Sequence, residues 1–152
     1  MKNIPEFHTV RGYQLLEHRG QLSPSMEDYL EMIYRASLEG GAVRVSAISL
    51  RLNVRPPSAT KMVQRLADAG FLSYRRYDTI ELTSDGRALG EYLYDRHNTV
   101  GRFLSILGVK ENLLEETELI EHSISQATLK RLARFNELAA QEPDLLKKLD
   151  GE

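Results

Sequence analysis

Carboxylates and imidazoles occur in this sequence at spacings that suit metal ligation. Asp28 and Glu31 stand three residues apart, His97 lies alone further on, and Glu118, Glu121 and His122 form an E-x-x-E-H run. On a helix, positions i, i+3 and i+4 are neighbours on one face, so each group can present its donors together. Oxygen and nitrogen donors with no thiolate suit borderline-hard divalent ions such as Mn(II) or Fe(II). Each group also has an ordinary explanation. An acid pair in a first helical turn complements the helix dipole, a lone helical histidine is commonly a surface or core residue, and an acidic run is commonly a solvated face. His8 and His18 have no such neighbours and read as ordinary. Cysteine is absent, which excludes a disulfide framework, a thiolate metal site and a cysteine nucleophile.

A second constellation points to nucleic acid. The formal net charge is −2, but its distribution is uneven. Between Arg44 and Arg87 there are eight bases and four acids, whereas from Gly108 onward ten acids face six bases. The middle of the chain is a basic module and the C-terminal part an acidic one. Within the basic module, Ser58, Thr60, Lys61, Gln64 and Arg65 fall on the polar face of a helical pattern entered through Arg55 and Pro57. Small hydroxyls near a helix N-terminus suit close approach to phosphates or bases, and Gln64 can pair with an adenine edge. Arg75, Arg76 and Tyr77 follow at the tip of a β-rich stretch, where they can add phosphate or minor-groove contacts. The same pattern is also compatible with a helical hairpin whose charged face is merely solvated.

The elements that must position these residues are well marked. Ser23-Pro24-Ser25-Met26-Glu27 is a helix start, and Met26, Tyr29, Leu30, Ile33, Tyr34 and Leu38 recur at helical spacing until Gly40-Gly41. Asp28 and Glu31 lie on this helix. Val45-Ser46 opens a short helix with Ile48 and Leu52 inward, and Asn53-Val54-Arg55 makes a turn. Pro56-Pro57 then pre-sets a helix that buries Ala59, Met62, Val63 and Leu66 and ends at Gly70. Two short helices joined by a tight turn, the second polar and basic outside, form the helix-turn-helix pattern. Residues 72–77 and 79–83 read as a hairpin, the wing of a winged helix. Thr83-Ser84-Asp85-Gly86 caps a long helix to about Leu107, with Leu89, Leu93, Val100, Phe103, Leu104 and Leu107 on its apolar side and His97 midway. Helices over about 112–123 and 125–140, and a short one from Pro143, complete the chain.

At 152 residues the chain can build one compact domain or two small ones sharing a long helix. The expectation is a mainly α protein: an arm over 1–22, a winged helix-turn-helix with a small β-hairpin wing over 23–84, and an all-helical domain over 85–152. No apolar run is long enough to span a membrane, and the N-terminus has neither the apolar core nor the cleavage site of a signal peptide, so cytoplasm is the expected compartment.

Taken together, SPSMEDYLEMIY, the run from Val43 to Leu66, L-T-S-D-G, R-H and E-x-x-E-H resemble the diphtheria toxin repressor family, and within it the manganese transport regulators. The resemblance covers about residues 22–140. It implies a metal set of Asp28, Glu31, His97, Glu118, Glu121 and His122, and two Mn(II) ions per subunit. The iron-responsive branch typically has Met at the position of Asp28 and Cys at that of Glu118, and carries a further SH3-like domain. Both departures favour manganese. The resemblance also implies a homodimer that binds a palindromic double-stranded operator and represses manganese uptake. Leu104, Ile106, Leu113, Leu114, Leu119, Ile120 and Ile124 offer apolar surface for a twofold interface, or for an ordinary monomer core. A binuclear hydrolase would use the same ligands, but no nucleophile motif or phosphate loop accompanies them. A winged-helix regulator that senses an organic ligand is the other alternative.

Overall fold

The structure, a computed structural model, describes residues 12–15, 22–74 and 79–151. The first long helix, α1 (Pro24–Leu38), starts where its capping residues dictate. Ser23 Oγ accepts the Met26 N–H at 3.2 Å, and Pro24 fills the first turn, where its missing N–H costs nothing. Gly40 and Gly41 follow with φ of +80° and +81°, a conformation that ends the helix cheaply only in glycine. Tyr29, Leu30, Ile33 and Tyr34 are buried along one stripe, whereas Leu38 at the C-terminus is exposed.

A two-residue strand, β1 (Val43–Arg44), leads into α2 (Val45–Arg51). The turn after α2 is closed by Ser49, whose Oγ donates to the Val54 carbonyl at 2.7 Å, with Asn53 in the left-handed region at φ 52°. Helix α3 (Pro56–Asp68) follows immediately, with proline at its first positions. Ala59, Val63 and Leu66 are fully buried; Leu52 and Met62, expected in the core, are half-buried. Strands β2 (Leu72–Tyr74) and β3 (Thr79–Leu82) pair antiparallel, and β1 joins β3 through Val43–Ile80 and Arg44–Thr79, giving the order β1-β3-β2. The hairpin was legible in the sequence. The third strand was not, because two residues carry no alternation and only pairing defines them.

Thr83 caps α4 (Ser84–Ile106): its Oγ1 accepts the Gly86 N–H at 3.0 Å and donates to the Gly70 carbonyl at 2.7 Å. Gly86 is required here, since a Cβ would stand 1.9 Å from the Phe71 carbonyl oxygen. Three further helices follow: α5 (Leu113–Glu121), α6 (Gln126–Ala140) and α7 (Pro143–Leu149).

The chain forms two compact units that divide within α4, between Tyr94 and Asp95. In the first, the N-terminal half of α4 belongs to the core with Leu30, Ile48, Val63, Phe71 and Leu89. A Cβ at Gly90 would meet Tyr34 at 2.7 Å, so small size lets α4 approach α1. Residues 12–15 are helical and rest on the same half of α4, where a Cβ on Gly12 would lie 2.5 Å from Tyr92. In the second unit Val100, Thr117, Leu129 and Ala139 are buried, Phe103 meets Phe135 edge-on at 5.4 Å, and Asn136 donates to the Thr99 carbonyl at 3.0 Å. Among the described residues no helix is long and apolar enough to cross a membrane.

Candidate metal centre and nucleic-acid interface

In the second unit, three of the expected ligands come together. His97 on α4 brings its Nδ1 to 2.8 Å from Glu121 Oε2, and His122 Nε2 lies 3.8 Å from the other oxygen, Oε1. Glu121 is almost fully buried, at 2% exposure, while both imidazole side chains are 16% exposed. A buried carboxylate with an imidazole near each oxygen is a donor set that a borderline-hard divalent cation accepts, and no thiolate or thioether stands among these residues. Arg96 is buried beside them, and its Nη2 lies 3.3 Å from His122 Nδ1. A guanidinium only donates, so this contact makes Nδ1 the acceptor. Glu118, one helical turn before Glu121, is exposed.

Asp28 and Glu31 stand one turn apart on α1, in the first unit. Glu31 is buried and forms an ion pair with Arg35 at 3.6 Å, and the Arg35 guanidinium sits 5.5 Å over the Tyr94 ring. The Glu31–Arg35 spacing was readable as an i, i+4 pair. Arg96 carried no periodic signal; its burial comes from packing alone.

The proposed DNA face is exposed as its pattern required. Arg55, Pro57, Ser58, Thr60, Lys61, Gln64 and Arg65 all point away from the core. Two of them are engaged within α3. Thr60 Oγ1 donates to the Pro56 carbonyl at 3.0 Å, and Gln64 Nε2 donates to Asp68 Oδ1 at 3.0 Å. Arg75, Arg76 and Tyr77 lie outside the described residues. Near α2, Arg51 makes a two-point ion pair with Glu39, which holds the Glu39 carboxyl below its ordinary range and raises the guanidinium.

An apolar groove of about 450 Å³ opens on the second unit, lined by Val100, Phe103, Leu104, Leu119, Ile120 and Ile124 among others. Leu119 is 72% exposed and Leu114 58%, so much of the apolar surface expected to be in surplus is indeed uncovered. Leu104 is the correction: at 8% exposure it belongs to the core of the unit, because it faces inward from α4 with Val100.

The two halves also match known proteins. Residues 21–80 match the family described as iron dependent repressor, N-terminal DNA binding domain. Residues 83–149 match its metal binding and dimerisation domain. The chain belongs to the iron-dependent repressor family. The family's two domains thus account for the helix-turn-helix and for the helices that carry His97, Glu121 and His122. Among relatives of this repressor, the HTH-type transcriptional regulator MntR of Lysinibacillus sphaericus is 40% identical over 130 residues, 85% of this chain and 94% of the relative. The regulator of the same name from Oceanobacillus iheyensis is 45% identical over 111 residues, 72% of this chain and 76% of the relative. The solved structure of the manganese regulator SloR superposes with a TM-score of 0.66 at 28% identity, covering 75% of this chain. The chain spans about half of that structure's length, 54%. This repressor is therefore a metal-dependent, DNA-binding transcription regulator and not an enzyme.

Proposed function

We propose that this repressor responds to manganese, binds a palindromic operator as a homodimer in the cytoplasm, and represses manganese uptake genes. The observation that carries the metal reading is the buried Glu121 carboxylate with an imidazole near each of its oxygens. Relatives named as MntR regulators and a structural neighbour named as a manganese regulator support the choice of metal.

In this reading Asp28, Glu31, His97, Glu118, Glu121 and His122 hold two Mn(II) ions per subunit. Bound Mn(II) supplies the positive charge that offsets repulsion among the four carboxylates. Residues 23–84 form the DNA-binding module and 85–152 the metal-binding and dimerisation module. Ligands drawn from both modules restrict their relative motion, which narrows the separations open to the two α3 helices of a dimer and selects the one that fits DNA. Linkage requires DNA to tighten metal binding by the same factor. On α3, Ser58, Lys61, Gln64 and Arg65 meet the groove, with Arg55, Pro57 and Thr60 at the helix entry and Arg75, Arg76 and Tyr77 on the wing. The exposed Leu114 and Leu119 and the groove beside them supply the dimer surface.

The test is binding of the purified protein to a palindromic duplex selected from a random pool, with Mn(II), Fe(II) or Zn(II) and with chelator. Binding that requires Mn(II) and is lost with chelator is the expected result. Equal binding with and without metal overturns the sensor and leaves a winged-helix regulator of another signal.

A further inference from the structure

Helix α3 carries a single acidic side chain, Asp68, on a surface that otherwise presents Lys61 and Arg65. That acid is unfavourable twice over. It repels a phosphate backbone, and it sits at a helix C-terminus, where the dipole favours cations. Its one visible engagement on α3 is with Gln64, whose Nε2 donates to Asp68 Oδ1 at 3.0 Å, one turn away. A carboxylate only accepts, so it engages only the NH2 side of the amide. A glutamine amide without such a partner turns over between two broad wells and presents either end. Held by Asp68, Gln64 keeps its carbonyl oxygen and its second N–H for the open side. That pair matches the N6–H donor and N7 acceptor of adenine in the major groove.

We propose that Asp68 is a positioning residue for base readout: it orients Gln64 so that α3 selects an A·T pair in each half-site. The inference rests on the reading that α3 enters the major groove. Asp68 gives up affinity for any DNA in return for discrimination at one position, the signature of specificity obtained by disfavouring wrong partners.

The experiment uses the full chain with Mn(II). Duplexes are selected from a random pool, and affinities are then measured for the consensus, for each single base-pair change and for a scrambled duplex. Wild type is expected to prefer A·T at one half-site position by about tenfold or more, the discrimination of a bidentate pair. Q64A and D68A should each lose that preference at the same position and at no other. D68A should bind the scrambled duplex more tightly than wild type, whereas Q64A should not. D68E, which restores an acceptor and the charge, should recover the preference. Melting temperatures of the variants within a few degrees of wild type exclude misfolding. D68A that keeps the full preference overturns the proposal while leaving metal-dependent operator binding intact. Wild type that binds no duplex in Mn(II) overturns the functional reading and this inference with it.

Discussion

The isosteric change Glu121→Gln tests the centre most directly. Glu121 is 2% exposed and faces His97 Nδ1 at 2.8 Å. Since a carboxylate only accepts, His97 donates across that contact. Glutamine keeps the volume and can still accept, so the metal-free protein exchanges a charged hydrogen bond for a neutral one, a loss of about 1 kcal/mol. In a chain of 152 residues that lowers Tm by about 2–4 °C. The metal-bound protein should suffer far more. Partners that merely support a ligand are worth about 10–100-fold in affinity, so removing a charged ligand should cost at least about a hundredfold. A hundredfold weaker site forfeits about 2.7 kcal/mol of metal-induced stabilisation, or about 5–10 °C of the Tm increment. Scanning calorimetry with and without excess Mn(II), paired with titration calorimetry, reads both numbers. A variant that keeps the wild-type Mn(II) increment refutes the assignment of Glu121 as a ligand. A fall of far more than a few degrees without metal refutes the division between structural and ligand roles.

Three further outcomes are expected. Lys61→Ala should weaken operator binding and make the slope of log affinity against log salt shallower by about one, with Mn(II) affinity of the free protein unchanged. Gly86→Ala places a Cβ 1.9 Å from the Phe71 carbonyl oxygen, and the repacking should outweigh the gain in helix propensity by about 1–3 kcal/mol in urea unfolding. Gly40→Ala, with nothing within 4 Å, isolates the backbone strain at its φ of +80° as a control. Leu119→Glu should leave monomer stability within about 0.5 kcal/mol, because that side chain is 72% exposed, yet shift sedimentation toward monomer. An unchanged dimer would remove Leu119 from the interface.

Much of the architecture depends on local physics and was legible in residue order. Helix starts at Ser23, Pro56-Pro57, Thr83 and Ser125 follow from capping hydroxyls and proline, whose effects act within a turn. The polar face of α3 follows from the 3.6-residue period, which is why all seven of its expected DNA-facing residues are exposed. The ligand types and their helical spacing were equally readable, since E-x-x-E-H and the Asp28–Glu31 pair are local patterns.

What the sequence could not determine is what depends on partners distant in the chain. Strand β1 exists only through Val43 and Arg44 pairing with β3, some 35 residues on. Leu104 and Leu119 are chemically alike and both on helices, yet one is buried and the other is 72% exposed, because burial is decided by what packs against each face. Three of the acids in α5, Glu115, Glu118 and Glu121, share a residue type and a helix; only Glu121 is buried, and only its side chain meets His97 from α4. The buried Arg96 beside His122, and Asp68 beside Gln64, are the cases where a side chain's role was set by geometry. Composition could name the donors, but only the packed structure chose which acceptor each one faces.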